Sequence, residues 1–125
     1  MASILIVEDY QPLRMLYHRV LSGAGHAVSL AGSCQEALEH LRASTPDVVL
    51  LDMSLPDGDG LAVASALTRP ARLRTPQFVA ITGHDQYQQL AEAHGIEFFL
   101  YKPVSVPMLL TLVERLTVPR FAAVA

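Results

Sequence analysis

An α/β domain built on a doubly wound, five-stranded parallel sheet is what the sequence predicts, and three observations predict it. Short apolar runs alternate with stretches of helical periodicity five times along the chain, the (βα)₅ pattern of a parallel sheet covered on both faces. The run 48–51 (Val-Val-Leu-Leu) is continuously apolar, as a strand buried on both sides must be. Polar, chemically capable side chains follow the strands instead of interrupting them: Glu8 and Asp9 after the first, Asp52 after the third, Thr82 after the fourth and Lys102 after the fifth. The alternation gives the class and leaves the strand order open.

In chain order, Ser3–Val7 reads as the first buried strand. Leu13, Leu16, Tyr17, Val20 and Leu21 then recur at helical spacing. Pro12 falls in the first turn of that helix, where a missing N–H costs nothing, and Gly23 and Gly25 stop it. Residues 26–30 are a weaker second strand. Ser33 and Glu36 form a capping box that opens a helix with Ala37, Leu38 and Leu41 inward, and Pro46 bars its continuation. After the central strand, Pro56 and the run Asp57-Gly58-Asp59-Gly60 read as a loop. Leu61, Ala64 and Leu67 mark a third helix, and Arg69, Arg72 and Arg74 fall in a solvated connection after it. Residues 78–81 make the fourth strand. Asp85 caps a short polar helix with Tyr87, Leu90 and Ala91, closed by Gly95. Residues 96–101 make the fifth strand. Ser105 opens the last helix, with Pro107 in its first turn and Val106, Leu109, Leu110, Val113 and Leu116 inward. Pro119 ends it. One domain over residues 1–118 is expected, with 119–125 a C-terminal tail or a truncated linker.

The 125 residues suffice for one core and not for two. Apolar residues make up 51% and charged residues only 17%, so one face has the composition of a contact surface. A net charge of −3 argues against a nucleic-acid groove, which needs a basic stripe. No apolar run approaches the roughly 18 residues of a membrane span, and residues 4–7 are too short for a signal-peptide core. Met1, just ahead of the first strand, reads as a true N-terminus. Cys34 is the single cysteine, which rules out an internal disulfide. The expected location is the cytoplasm.

In a parallel sheet the strand ends lie on one edge, so Glu8, Asp9, Asp52, Thr82 and Lys102 converge there. Each has an ordinary explanation alone: a capping acid, a good β residue, a surface lysine. Together they are a chemical constellation. Three carboxylates in one pocket repel, and one would take up a proton unless a cation joined them. The ligands are all oxygens, which suits a hard ion, Mg²⁺ or Mn²⁺. A divalent ion, an ammonium and a hydroxyl around a carboxylate are what a transferring phosphoryl group requires, and the carboxylate can attack phosphorus to give an aspartyl phosphate.

These residues resemble the receiver domain of two-component response regulators, the chemotaxis-regulator-like superfamily. The motifs that carry the resemblance are Glu8-Asp9, Leu51-Asp52-Met53-Ser54-Leu55-Pro56 with Asp57-Gly58-Asp59-Gly60 after it, Ile81-Thr82-Gly83 and Tyr101-Lys102-Pro103. The resemblance implies a flavodoxin-like fold with strand order 2-1-3-4-5. It implies that Asp52 takes a phosphoryl group from a sensor histidine kinase or histidine phosphotransfer protein, with Thr82 and Lys102 binding the phosphoryl oxygens. Asp9 and Asp52 would hold Mg²⁺ directly, Glu8 through water and Ser54 through its backbone carbonyl. Lys102-Pro103 would be a cis peptide. Thr82 and Phe99 would be the switch pair, and Ser54 and His84 would flank the attacking water and tune dephosphorylation. Such a domain is a signalling element, not an enzyme, although it assists its own phosphorylation and dephosphorylation. Its output would be a downstream protein bound by the fourth helix, fifth strand and fifth helix, with a phosphorylation-dependent homodimer also open.

Two departures from the family stand out: Glu8 occupies a position where Asp is common, and Phe99 lacks the hydroxyl of the Tyr found in some members. His18, His26, His40 and His94 fit no metal spacing and read as surface residues, and Tyr10 as a wall of the pocket. A receiver fragment of a larger hybrid kinase or response regulator is the alternative reading. Two other classes are weaker. An aspartyl-phosphate phosphohydrolase of the haloacid dehalogenase type needs a second Asp where Ser54 stands. An FMN-binding flavodoxin-like protein needs a phosphate loop where Glu8-Asp9 would repel it.

Overall fold

The computed structural model describes residues 2–55, 58–59, 63, 76–83, 96 and 98–117. Five parallel strands form one sheet: β1 (Ser3–Val7), β2 (Ala27–Ala31), β3 (Val48–Asp52), β4 (Gln77–Thr82) and β5 (Phe98–Tyr101), in the order β2-β1-β3-β4-β5. The helices with described bounds are α1 (Gln11–Gly23), α2 (Cys34–Ala43) and α3 (Val106–Thr117), the last corresponding to the fifth helix of the sequence pattern. Apart from Val63, which is helical and buried, the predicted third and fourth helices, the Arg69–Arg72–Arg74 connection, His94 and the tail 119–125 lie outside the described residues.

Alternation along the buried strands sorts their side chains into two cores. Leu5, Val7, Val49, Leu51, Phe78 and Ala80 pack with Ala37 and Leu41 of α2 on one face. Ile4, Ile6, Val48, Leu50, Val79 and Ile81 pack with Tyr17 and Leu21 of α1 and Leu109 and Val113 of α3 on the other. A period of two in an all-apolar strand makes both faces sticky, and helices on both sides are the answer to it. Each fully buried Leu or Ile contributes roughly 2 kcal/mol of transfer free energy.

The helix ends follow local chemistry. Pro12 sits at the start of α1, and Gly25, with φ of 95°, takes the left-handed conformation after it that a side chain would resist. Ser33 caps α2 by accepting from the Glu36 N–H at 3.2 Å. The reciprocal bond of the capping box goes one residue further out, from the Gly32 N–H to Glu36 Oε2 at 3.2 Å. Asp47 Oδ2 accepts from the Ser3 N–H at 2.9 Å, tying the start of β1 to the start of β3.

Several boundaries differ from the sequence reading. β2 begins and ends one residue later than expected, because its register follows its ladder with β1, Ser3 to Ala27 through Val7 to Ala31. Ile96 is buried but precedes β5, so its hydrophobicity reports packing and not strand pairing. The stretch read as a loop contains a short antiparallel ribbon, Ser54–Leu55 against Gly58–Asp59. Leu16 is 39% exposed and Tyr10 is 60% exposed, so neither is an inward residue. His26 is half-buried, its Nδ1 accepting from the Ala2 N–H at 3.2 Å, which makes it a tie for the chain start.

Candidate functional site

Register builds the site. Val7 pairs with Leu51 and Asp52 pairs with Ile81, so the residues just beyond, Glu8 and Asp52, stand side by side at the carboxyl edge of the sheet. Both continue the alternation of the Ile4–Ile6 and Val48–Leu50 face, above Tyr17. Thr82 pairs with Tyr101 and Ala80 with Phe99, so Thr82 and Phe99 share the opposite face. The chain turns at Lys102, whose N–H donates to the Thr82 carbonyl at 2.9 Å. The Lys102-Pro103 peptide is cis.

Glu8, Asp52 and Thr82 are the buried polar residues of the described core. Lys102 reaches into the pocket: its Nζ lies 3.3 Å from Asp52 Oδ2 and 3.4 Å from Glu8 Oε1. Asp9 is exposed at the mouth, and carboxylate oxygens of Glu8, Asp9 and Asp52 all lie within 4.8 Å of one another. Burial, reinforced by a hydrogen bond and charge repulsion from Asp52, lifts the Glu8 carboxyl from 4.5 to about 7, while Lys102 pulls the other way. Burial works against the Lys102 ammonium, but Asp52 and Glu8 more than offset it and raise its pKa. The Tyr17 phenol is pushed up, first by burial and then by the nearby Glu8 charge.

The pocket fits a hard divalent cation. Its donors are all carboxylate oxygens, and buried Glu8 Oε1, although ion-paired with Lys102 at 3.4 Å, makes no hydrogen bond among the described residues. A cation, or water bound to one, would add the partner that atom lacks.

Of the residues singled out from sequence, the structure brings together Glu8, Asp9, Asp52 and Lys102, with Thr82 buried beside them on the neighbouring strand end. Phe99 is half-buried against the α2-side core. The backbone of Ser54 begins the short ribbon two residues after Asp52, and His84 lies outside the described residues. Sequence reasoning missed Arg14. Its Nη1 donates to the Glu8 carbonyl at 2.9 Å and the Asp9 carbonyl at 3.4 Å. An arginine in the second turn of an amphipathic helix carries no signal of such a contact.

Comparison with known proteins agrees with this geometry. The model of the response regulator receiver domain matches residues 4–114. The aerobic respiration control sensor protein ArcB of Escherichia coli is 34% identical over 116 residues, 90% of this chain. That stretch is 15% of ArcB, so the chain spans only a small part of these sensor relatives. The polar-differentiation response regulator DivK of Brucella ovis is 31% identical over 107 residues, 84% of this chain and 87% of DivK. Among solved structures, the chemotaxis response regulator CheY4 of Vibrio cholerae superposes with a TM-score of 0.85 at 25% identity, covering 93% of this chain and 98% of that one. A receiver domain from Methylobacillus flagellatus superposes with a TM-score of 0.83 at 28% identity, covering 93% and 98%. With sheet order, acidic cup and family model in agreement, the chain belongs to the response regulator receiver domain family and is a phosphoacceptor domain of signal transduction.

Proposed function

We propose that Asp52 accepts a phosphoryl group from a phosphohistidine of a sensor histidine kinase or histidine phosphotransfer protein, and that phosphorylation switches a protein-binding surface. One observation carries the reading: the Lys102 ammonium stands 3.3 Å from Asp52 Oδ2 in a pocket that also holds Glu8 and Asp9. A carboxylate oxygen of Asp52 attacks phosphorus, the phosphorus–nitrogen bond of the donor breaks, and its electron pair returns to the donor imidazole, which takes up a proton. Lys102 neutralises one phosphoryl oxygen and the Thr82 hydroxyl donates to another. Glu8, Asp9, Asp52 and the Ser54 carbonyl would hold Mg²⁺, or Mn²⁺ in its place. Such an ion supplies counter-charge to the phosphoryl oxygens when bound. Ser54 and His84 tune the return hydrolysis, so the domain assists its own turnover while acting as a switch and not as a dedicated enzyme.

The switch is a population shift between two packings of Thr82 and Phe99. Their common face, given by the register of β4 and β5, supports this pairing. The output surface runs over β5 and α3, where Phe98, Phe99, Met108, Leu112 and Arg115 line a groove of about 530 Å³. Tyr101, 41% exposed, adds apolar contact area beside it. A downstream protein, or a second phosphorylated copy, would bind there. The domain proper covers 1–118, with 119–125 a tail or linker. Cytoplasmic location is part of the same proposal: no described helix is long and apolar enough to cross a membrane, and the single cysteine, Cys34, is buried. A second reading, a receiver module of a longer sensor protein, is favoured by the ArcB match.

Acetyl phosphate with Mg²⁺ should add one acid-labile phosphoryl group, read by intact mass, and Asp52→Asn should abolish it. Equal labelling of the Asn variant would move the acceptor elsewhere.

A further inference from the structure

We propose that Arg14 is the positioning residue of the acidic cup, and that Gly32 is glycine because the Arg14 guanidinium occupies the space a side chain there would need. This rests on the Mg²⁺ reading above and goes beyond it.

Glu8 and Asp9 lie between β1 and α1: the Glu8 N–H still donates to the Ala31 carbonyl of β2 at 3.0 Å, but among the described residues no strand group is bonded to the Glu8 and Asp9 carbonyls. Arg14 Nη1 supplies the missing donor to both, at 2.9 and 3.4 Å. These contacts aim the peptide units, and so the two carboxylates that hang from them. The same nitrogen sits against α2. A Cβ built on Gly32 would lie 2.8 Å from Arg14 Nη1 and 3.6 Å from Glu36 Oε1. Glu36 in turn accepts from the Gly32 N–H at 3.2 Å. The guanidinium that holds the carbonyls of the acidic pair thus also lies beside the Gly32–Glu36 turn that precedes α2.

Two roles for Arg14 predict opposite signs. A bare positive charge near the cup would oppose a cation, so removing it would tighten Mg²⁺ binding. A brace for the ligands would have the reverse effect, because partners that orient metal ligands typically contribute 10–100-fold to affinity. The hydrogen bonds go to carbonyls and hold geometry, which selects the brace. Arg14→Met removes charge and brace together. Arg14→Lys keeps the charge and loses the planar fork. Gly32→Ala leaves Arg14 in the sequence but displaces the nitrogen that does the bracing, at a position whose φ is not in the left-handed region.

Calorimetric titration with Mg²⁺ alone, at pH 8, tests this. Arg14→Met and Arg14→Lys should each raise the Kd on the order of tenfold, Gly32→Ala should raise it in the same direction, and the Arg14→Met/Gly32→Ala double variant should be no worse than Arg14→Met. The rate of phosphorylation by acetyl phosphate at saturating Mg²⁺ should change far less than the Kd, and the metal-free urea midpoint should move little. Unchanged or tighter binding in the Arg14 variants, with the wild type binding normally, overturns the brace and leaves the metal reading intact. Additive effects in the double variant break the link to Gly32. If the wild type itself binds no Mg²⁺, the metal reading falls and takes this inference with it.

Discussion

Replacing Glu8 with Gln should stabilise the metal-free protein above neutral pH. Glu8 is 2% exposed and shares its pocket with Asp52, and burial followed by that neighbour lifts its carboxyl from 4.5 to about 7. The folded state therefore holds a proton that the unfolded chain releases more easily. The stability tied to this group is intact below pH 4.5 and is lost as the pH rises through about 7. At about 1.4 kcal/mol per decade of acidity, the loss across that window is roughly 3 kcal/mol. A Gln side chain has nothing to ionise and escapes it. Urea unfolding in chelator-treated buffer at pH 5 and pH 8 reads the difference directly. The wild type should lose roughly 2.5 kcal/mol more than Glu8→Gln between the two, equivalent to roughly 8 °C in Tm for a domain of this size. Mg²⁺ at about 100 times its Kd should return roughly 2.7 kcal/mol to the wild type at pH 8, and less to the variant. Parallel pH profiles for the two proteins would refute the account, since the penalty would then not reside in Glu8.

Lys102→Met removes the ammonium that pulls the Glu8 carboxyl down. Phosphorylation by acetyl phosphate at saturating Mg²⁺ should slow by on the order of 10²–10³-fold, as when one charge-stabilising donor is lost. Unaltered kinetics would remove Lys102 from the chemistry. Ser33→Ala deletes the cap on the Glu36 N–H and should cost about 1 kcal/mol in urea unfolding; a cost near zero would mean that water or the Gly32–Glu36 bond suffices.

What the sequence made legible was set by the range of the interaction. The apolar run of β3, the Ser33–Glu36 box and the Pro12 helix start depend on neighbours within a few residues, and the structure has all three. Convergence of Glu8, Asp52 and Lys102 was legible too, because a parallel ladder forces strand ends onto one edge whatever the strand order. The order itself, now β2-β1-β3-β4-β5, needed the family resemblance. Ties outside the periodic pattern left no trace. Asp47 accepting from Ser3 and His26 accepting from Ala2 are long-range, and Arg14 donating to the Glu8 and Asp9 carbonyls spans only six and five residues, yet no periodicity encodes any of them. Ile96 shows the converse error: hydrophobicity predicted burial correctly and strand membership wrongly. Leu16 fits the helical spacing yet faces solvent.

The cup also explains why so costly an arrangement persists. Carboxylate oxygens within 4.8 Å of one another repel by roughly 3 kcal/mol per pair at an effective dielectric of about 20. At 3.3 and 3.4 Å, Lys102 attracts Asp52 and Glu8 by roughly 5 kcal/mol each on the same scale. The ammonium thus roughly cancels the mutual repulsion but leaves two further negative charges and the desolvation of two buried acids unbalanced. A divalent cation would close this gap, and an incoming dianionic phosphoryl group would then meet a nearly neutral pocket instead of a repulsive one. On the proposed function, that residual negative charge couples cation binding to phosphoryl acceptance, and a variant that removes one of these charges, as Glu8→Gln does, should become stabler and poorer at both.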